Sequence, residues 1–369
     1  MTHMNFLIIG SGMMGRAIAY DLANFSKYES ITIIDKNKKS LESAKKFLDN
    51  KDINFCNSNI KLKNQIKKYF SFSDIAISAV PYKYNYNLAK IAIDSRTNFL
   101  DLGGNNNIVK KERGLMKEAK ENEVIVIPDC GLAPGLTSVI TKDIVEKLPK
   151  IKYVKIRVGG LPINPKPPLN YQIIFSPLGL INEYVEKSII LESGKIIKKP
   201  SMTSIEQIIF PKPFGIMEAF LTSGGCSTLP YTYKDKIDYL DYKTIRYLGH
   251  CENFKPLLKI KPREKLVNYL VNNLPANEAD IVLLKVFSKG VKDGLEKKLE
   301  YTIIDYYDKI NKITSMMRTT AYPTSIIATM IANGIIYKKG VFCPEEVVPC
   351  DLFFNELKKR NVIIKKEII

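Results

Sequence analysis

Asn5-Phe6-Leu7-Ile8-Ile9-Gly10-Ser11-Gly12-Met13-Met14-Gly15 decides how the chain is read. Asn5–Ile9 is apolar without a helical period, the pattern of a strand buried on both faces. It turns through glycines spaced G-x-G-x-x-G and enters Arg16–Ala23, where the apolar residues at 14, 18 and 22 align on one helical stripe. The glycine spacing gains its meaning from this strand–turn–helix setting. Gly10 makes the tight turn and Gly12 lets a pyrophosphate reach the backbone. Gly15 lets helix pack on strand, while Met13 and Met14 open a helix whose N-terminus faces the anion. A second strand, Ile31–Ile34, ends at Asp35, 20 residues after Gly15. A carboxylate there accepts from the adenosine ribose hydroxyls and repels a 2′-phosphate. NAD is therefore the expected cofactor, with Lys36, Lys38 and Lys39 nearby weakening the bias against NADP.

The alternation continues outward from this unit. Strands are predicted at Asp52–Cys56, Asp74–Val80, Asn98–Leu102 and Val124–Ile127, with amphipathic helices at Ile60–Phe70, Asn85–Asp94 and Ile108–Asn122. This is the pattern of an α/β, Rossmann-type doubly wound parallel sheet. Ligands of such sheets lie beyond the carboxyl ends of the strands. There the sequence offers Asp35, then Val80-Pro81-Tyr82, then Asp101 with Gly103, then Asp129. The irregular turn Pro128–Gly135 leads into an apolar helix, Leu136–Leu148. From Ile151 short alternating runs predominate: Tyr153–Val158, Tyr171–Phe175, Ile189–Leu191, Lys195–Ile197, Ile205–Phe210, Ile281–Phe287, Glu300–Tyr307 and Lys312–Met316. With helices near Glu252–Leu258 and Arg263–Leu274, they predict an α+β substrate domain on a largely antiparallel sheet. Thr324–Asn333 is apolar nearly all round and reads as a buried helix. The expected division is a dinucleotide-binding domain over 1–131, a substrate and dimerisation domain over 132–317, and a segment over 318–369 that packs back on the first domain.

The chain has 369 residues, with 56 Lys and Arg against 38 Asp and Glu, a net charge of +18. That length exceeds one ordinary core and fits about two domains. The basic excess is scattered lysine with only eight arginines, so no nucleic-acid interface is expected. No apolar run approaches the ~20 residues that span a bilayer, and no cleavable leader is visible, so a cytoplasmic location is expected. Six cysteines without a CxxC pair and only two histidines, His3 and His250, argue against a metal.

Several runs resemble the saccharopine dehydrogenase superfamily: GSGMMGRAIAYDLA (10–23), PDCGLAPGLTS (128–138) and VGGLPINPKPPLNYQIIFSPLGLINEY (158–184). EAFLTSGGCSTL (218–229), DYKTIRYLGH (241–250) and RTTAYPTSIIATMIANGII (318–336) are similar to its NAD-dependent L-lysine 6-dehydrogenases. The resemblance spans about residues 4–363. It implies a homodimeric oxidoreductase that oxidises the ε-amine carbon of L-lysine, with hydride passing to NAD. The imine is then hydrolysed and the semialdehyde cyclises to a piperideine carboxylate. The turn reads GLAPG where saccharopine dehydrogenases commonly carry an acid after GL, which argues against saccharopine itself as substrate. A relative acting on saccharopine or carboxynorspermidine is the alternative enzyme, and a non-enzymatic NAD-binding regulator is the alternative of another class.

Amine oxidation by hydride loss needs a neutral nitrogen, a grip on the rest of the substrate, and a water for the imine. Asp129 and Asp101, at neighbouring strand ends, are the candidates to hold the ε-amine and take its proton. His250 is the one credible imidazole. Arg246 and Arg318 are candidate clamps for the substrate carboxylate. Tyr82, Tyr171, Ser223, Gly224 and Thr228 are the remaining candidate substrate contacts. Cys130 and Cys226 are poor nucleophile candidates, because amine oxidation needs no covalent intermediate.

Overall fold

The computed structural model describes residues 4–49, 51–276 and 278–368. The chain divides into two compact units. One is Met1–Val139 with Met317–Arg360; the other is Ile140–Met316 with Asn361–Ile369.

The first unit is built on parallel strands β1 (Met4–Ile9), β2 (Tyr28–Asp35), β3 (Asn54–Asn57), β4 (Ile75–Ser78), β5 (Asn98–Asp101) and β6 (Ile125–Ile127). A two-residue strand from the tail, Gly340–Val341, completes a sheet ordered Gly340–Val341, β6, β5, β4, β1, β2, β3. Every pairing is parallel, so all carboxyl ends lie along one edge. β1, β4, β5 and β6 are apolar and buried on both faces because helices cover both sides. Leu7, Ile34, Phe70, Phe99, Val126 and Val341 share one core cluster. Each such side chain contributes about 1.5–3 kcal/mol when fully buried. The predicted helix Ile108–Asn122 is two, Asn106–Arg113 and Met116–Glu121.

In this unit the tail forms an 18-residue helix, Ser315–Ala332, from Met317 onward. It is longer at its start than Thr324–Asn333 because Pro323 lies inside it without ending it. Thr324 Oγ1 donates to Cys130 O at 2.8 Å, fastening the helix beneath the turn that carries Asp129. Arg360, from the helix Cys350–Lys359 and its cap, reaches Asp21 on the helix Met13–Phe25 at 2.7 Å.

The second unit carries β7 (Lys150–Pro162), β8 (Ser188–Glu192), β9 (Lys195–Lys199), β10 (Glu206–Phe210), β11 (Gly215–Leu221), β12 (Ile237–Arg246), β13 (Asp280–Lys292) and β14 (Leu295–Tyr306). Their order is β10-β11-β12-β7-β13-β14 followed by Lys365–Ile368, with β8 and β9 branching from β12. Only β12 and β7 pair in parallel; the rest of the sheet is antiparallel.

Four local readings change. Tyr171–Phe175 is no strand but a loop with a single bridge, Ile173 to Ala276. Lys312–Met316 is no strand either. The Asp280 carboxylate accepts from Ser315 N at 2.6 Å and Met316 N at 2.9 Å, starting the long helix there. The first unit reaches Val139, beyond residue 131, and Val139 O accepts from Cys350 Sγ within that unit. Finally, residues 361–369 leave the first unit, because Lys365–Ile368 pairs with the open edge of β14.

Candidate functional site

The carboxyl edge of the parallel sheet begins with the glycine turn. Gly10 sits at φ 106°, where an added Cβ would be 2.8 Å from Ala79 O. A Cβ on Gly15 would fall 1.8 Å from Gly10 O, so helix and strand touch only because Gly15 lacks one. A Cβ on Gly12 would meet nothing within 4 Å. Gly12 is also the N-cap of the helix Met13–Phe25 and makes no side-chain capping bond. Open space in front of uncapped backbone N–H groups is what a pyrophosphate requires, so these residues fit a dinucleotide. Met13 and Met14 are half-buried beside it. At the end of β2, Asp35 Oδ2 accepts from Ser11 N at 2.8 Å and Ser11 Oγ at 2.9 Å, and Oδ1 accepts from Asn37 N at 2.9 Å. Asp35 thus braces the turn while retaining acceptor capacity.

The ends of β4, β5 and β6 assemble a second group. Asp101 is wholly buried. Its Oδ1 accepts from Gly103 N at 2.6 Å and Asp129 N at 3.4 Å. Asp129 stands at φ 64°, a left-handed conformation that few non-glycine residues adopt. A Cβ on Gly103 would lie 2.0 Å from Asp129 Oδ1, and one on Gly104 would lie 3.2 Å from Tyr82 Cδ1. Asp101, Gly103, Asp129 and Tyr82 are therefore brought together as the sequence predicted. Val80 and Pro81 border them, with Val80 Cγ1 3.0 Å from a Cβ built on Gly10.

Glu112, on the helix Asn106–Arg113, joins this group and was missed. It is completely buried. Its carboxyl faces that of Asp101, and no backbone or other side-chain donor reaches it among the described residues. Burial and the negative neighbours Asp101 and Asp129 push the Glu112 carboxyl up to about 11; burial lifts Asp101 to about 6, against its hydrogen bonds. The two carboxyls form an acid pair in which Glu112 keeps the proton. The signal was a lone Glu in a basic helix, KKER, which reads as a solvated face. Ser78 Oγ donates to Asn85 Oδ1 at 2.8 Å in the same buried patch.

In the second unit β12 ends at Arg246, completely enclosed. Its Nε donates to Tyr184 Oη at 3.0 Å and its Nη1 to Ile245 O at 2.8 Å. The guanidinium lies over the Tyr171 ring at 4.8 Å. Two other buried arginines have carboxylate partners: Arg157 meets Asp241 at 2.7 Å and Arg360 meets Asp21 at 2.7 Å. Among the described residues Arg246 has none in ion-pair contact. Glu183, on the helix Pro177–Val185, is near enough for Arg246 to pull its carboxyl down, yet burial prevails and holds it at about 7. Glu183, too, was not predicted.

His250 is corrected from base to positioning group. Nδ1 faces Leu169 O at 2.8 Å and Nε2 faces Tyr184 Oη at 3.0 Å. A carbonyl only accepts, so Nδ1 carries the proton and Nε2 accepts from the tyrosine. Burial, with Arg246 nearby, drives the imidazole down to about 3 and keeps it neutral. Glu218 closes the turn beneath it by accepting from Gly249 N at 2.8 Å and Cys251 N at 2.6 Å.

The remaining predicted contacts disperse. Ser223 Oγ donates to Asn182 O at 3.3 Å, inside the fold. Gly224, at φ 89°, has open space where a Cβ would go, and Thr228 is the N-cap of the short helix Leu229–Thr232. Arg318 lies in the first unit, where Nη2 donates to Arg360 O at 3.2 Å. Its guanidinium sits 5.7 Å from the Tyr322 ring. Arg246 and Arg318 thus belong to different units. Burial raises the Cys130 and Cys226 thiols well above their ordinary value, as inert cysteines require. His3 lies outside the described residues.

Residues 6–127 match the family model described as the saccharopine dehydrogenase NADP binding domain, and 131–363 match the saccharopine dehydrogenase C-terminal domain. The chain belongs to the saccharopine dehydrogenase family. The alpha-aminoadipic semialdehyde synthase of Rattus norvegicus, a mitochondrial protein, is 24% identical over 70% of this chain and 28% of its own length. The chain spans only about a quarter to a half of the mammalian synthases it matches. Saccharopine dehydrogenase [NADP(+), L-glutamate-forming] of Saccharomyces cerevisiae is 22% identical over 98% of both chains. The apo structure of the L-Glu-forming saccharopine dehydrogenase from Saccharomyces cerevisiae superposes with a TM-score of 0.79 at 20% identity, covering 99% of this chain and 100% of that one. Homospermidine synthase from Legionella pneumophila, solved with NAD, gives 0.71 at 15% identity over 100% and 92%. These structures share the α/β architecture of a parallel nucleotide-binding sheet with a second, mainly antiparallel one. No helix among the described residues is long and apolar enough to cross a membrane.

Proposed function

We propose that this protein oxidises the ε-amine of L-lysine with NAD, releasing ammonia and a semialdehyde that cyclises to piperideine-6-carboxylate. The observation that carries the reading is the acid group at the ends of β5 and β6, where the nicotinamide end of such a sheet lies. A chain with net charge +18 concentrates three buried carboxyls there, Asp101, Glu112 and Asp129. That is a receptor for a cation.

In this reading Asp129 binds the ε-ammonium and takes its proton, exposing the nitrogen lone pair. NAD, which Gly10, Gly12, Gly15 and Asp35 would hold, would supply the hydride acceptor for the neutral amine carbon. Asp101, braced by Gly103 N, fixes the Asp129 backbone, while Glu112 stays protonated and keeps the group from accumulating three negative charges. Tyr82 covers this end of the sheet. Within the second unit Arg246, buried without a carboxylate and held by Tyr171 and Tyr184, is the arginine available to an anion. Water admitted afterwards hydrolyses the imine.

NAD is favoured over NADP because the Asp35 carboxylate stands at the end of β2, where the adenosine ribose of such folds lies. The matched family model carries NADP in its description and the yeast relative carries NADP(+) in its name, so the choice is open to direct test. A second reading, oxidation of a secondary amine such as saccharopine, draws on those same relatives. Steady-state NADH formation with L-lysine, L-ornithine and saccharopine separates the two. The lysine reading requires L-lysine to have the highest kcat/KM. Turnover of saccharopine without turnover of lysine would establish the second reading instead.

A further inference from the structure

Four residues at the ribose end of the parallel sheet close a ring of hydrogen bonds within the first unit. Ser11, in the glycine turn, donates to Asp35 Oδ2 from its N at 2.8 Å and from its Oγ at 2.9 Å. Ser11 Oγ also meets Ser40 Oγ at 2.8 Å. Ser40 lies in the first turn of the helix Lys38–Phe47, and its N donates to Oδ1 of the N-cap Asn37 at 3.2 Å. Asn37 N returns to Asp35 Oδ1 at 2.9 Å and closes the ring. The Asp35 backbone is held as well, its carbonyl accepting from Ser58 N at 3.0 Å and Asn57 Nδ2 at 2.9 Å. Both carboxylate oxygens are thus tied to other elements. The single proton of the buried Ser11 hydroxyl is committed inside the ring.

Beside this ring stand three lysines with the opposite chemistry. Lys36, Lys38 and Lys39 are exposed and make no ion pair among the described residues. Unpaired cations next to the ribose position suit a 2′-phosphate. Admitting that phosphate requires the Asp35 carboxylate to turn away, because two anions repel each other in one place. A carboxylate tied to the glycine turn on one oxygen and to the helix cap on the other turns only by breaking those bonds. The lysines therefore stay latent while the ring is intact. We infer that Ser11, anchored by Ser40, is the positioning residue that sets the choice of dinucleotide, by holding Asp35 against a 2′-phosphate that the neighbouring lysines would otherwise accept. This rests on the NAD preference stated above and locates it in the ring instead of in the Asp35 charge alone. It is independent of which amine is oxidised.

The test measures the dissociation constants of NAD and NADP by isothermal titration of the full chain, without turnover. Wild type should bind NAD at least about 10-fold more tightly than NADP. Ser11→Ala should weaken NAD by about 3- to 10-fold, the range of one lost hydrogen bond, and tighten NADP by about 3-fold or more as the lysines reach its phosphate. The opposite signs matter, because a damaged turn would lose both dinucleotides. Ser40→Ala opens the ring without altering the glycine turn and should move both constants in the same two directions by a smaller factor. Ser40→Thr keeps the hydroxyl and should return them to the wild-type values. Replacing Lys36, Lys38 and Lys39 by Gln in the Ser11→Ala protein should abolish the gain in NADP affinity. Parallel losses of both dinucleotides in Ser11→Ala and Ser40→Ala, or an unchanged ratio, overturn the role of the ring and leave the NAD preference standing. A wild type that binds NADP as tightly as NAD overturns the preference itself, and this inference with it.

Discussion

At Gly12 and Gly103 the same small substitution has two different consequences. Gly12→Ala adds a Cβ that meets no protein atom within 4 Å and needs no unusual φ. The variant should melt with the wild type, yet lose NAD affinity by about 10-fold or more, because the methyl occupies the approach of the pyrophosphate. Gly103→Ala places a methyl 2.0 Å from Asp129 Oδ1. It should keep NAD binding and lose kcat, since what moves is the acid. Isothermal titration with NAD alongside single-turnover rates distinguishes them; equal NAD affinity in Gly12→Ala and wild type would remove the nucleotide assignment. Glu112 supplies a third prediction. Folding must keep this carboxyl protonated against an unfolded value near the ordinary range, so its contribution to stability falls as pH rises above about 4.5 towards 11. Glu112→Gln, which keeps a donor for Asp101 and cannot ionise, should raise stability at pH 8 by about 1–3 kcal/mol in urea unfolding, with the gain shrinking towards pH 5.

The elements show where sequence reading succeeds and where it stops. β1, β2, β4, β5 and β6 were legible because strands buried on both faces become short apolar runs, and the acids at their ends could be placed from the topology alone. β12 was not legible. Asp241, Lys243 and Arg246 are charged residues in IDYLDYKTIR that nevertheless lie buried. Their partners, Arg157 for Asp241 and Glu206 for Lys243, come from β7 and β10. A strand stabilised by distant ion pairs has no local hydrophobic signature. Glu183 was hidden for a related reason: nothing local to SPLGLINEY marks its glutamate, and only the tertiary fold encloses it. The start of the long tail helix has the same origin, because the carboxylate that caps it belongs to β13. Asp280→Ala should strand two backbone N–H groups and cost about 1–3 kcal/mol in chemical unfolding of the full chain. An effect below about 0.5 kcal/mol would show that the cap does not set the helix start.

For the whole molecule, charge and pH set the working conditions. His250 is neutral in the fold, with its value depressed from 6.5 to about 3. The unfolded chain therefore binds the extra proton first, and the stability this residue contributes is complete above about pH 6.5 and lost as pH falls towards 3. Subtracting the stability curve of His250→Gln from that of the wild type should give a difference that falls over that window by up to about 4 kcal/mol; a flat difference would mean that the imidazole is charged or solvated. The net charge of +18 repels a substrate that is itself cationic. Added salt should consequently raise kcat/KM for L-lysine by about two- to three-fold between 10 and 200 mM, the reverse of an electrostatically steered enzyme. The acid group at the sheet edge matters because it opposes that field locally.

Which nitrogen leaves is the most direct question to put to this protein. Incubation with NAD and L-lysine labelled with nitrogen-15 at the ε-position should release labelled ammonia in step with NADH and leave the α-nitrogen in a cyclic imine. Release of the α-nitrogen, or NADH formation without any ammonia, would contradict ε-deamination.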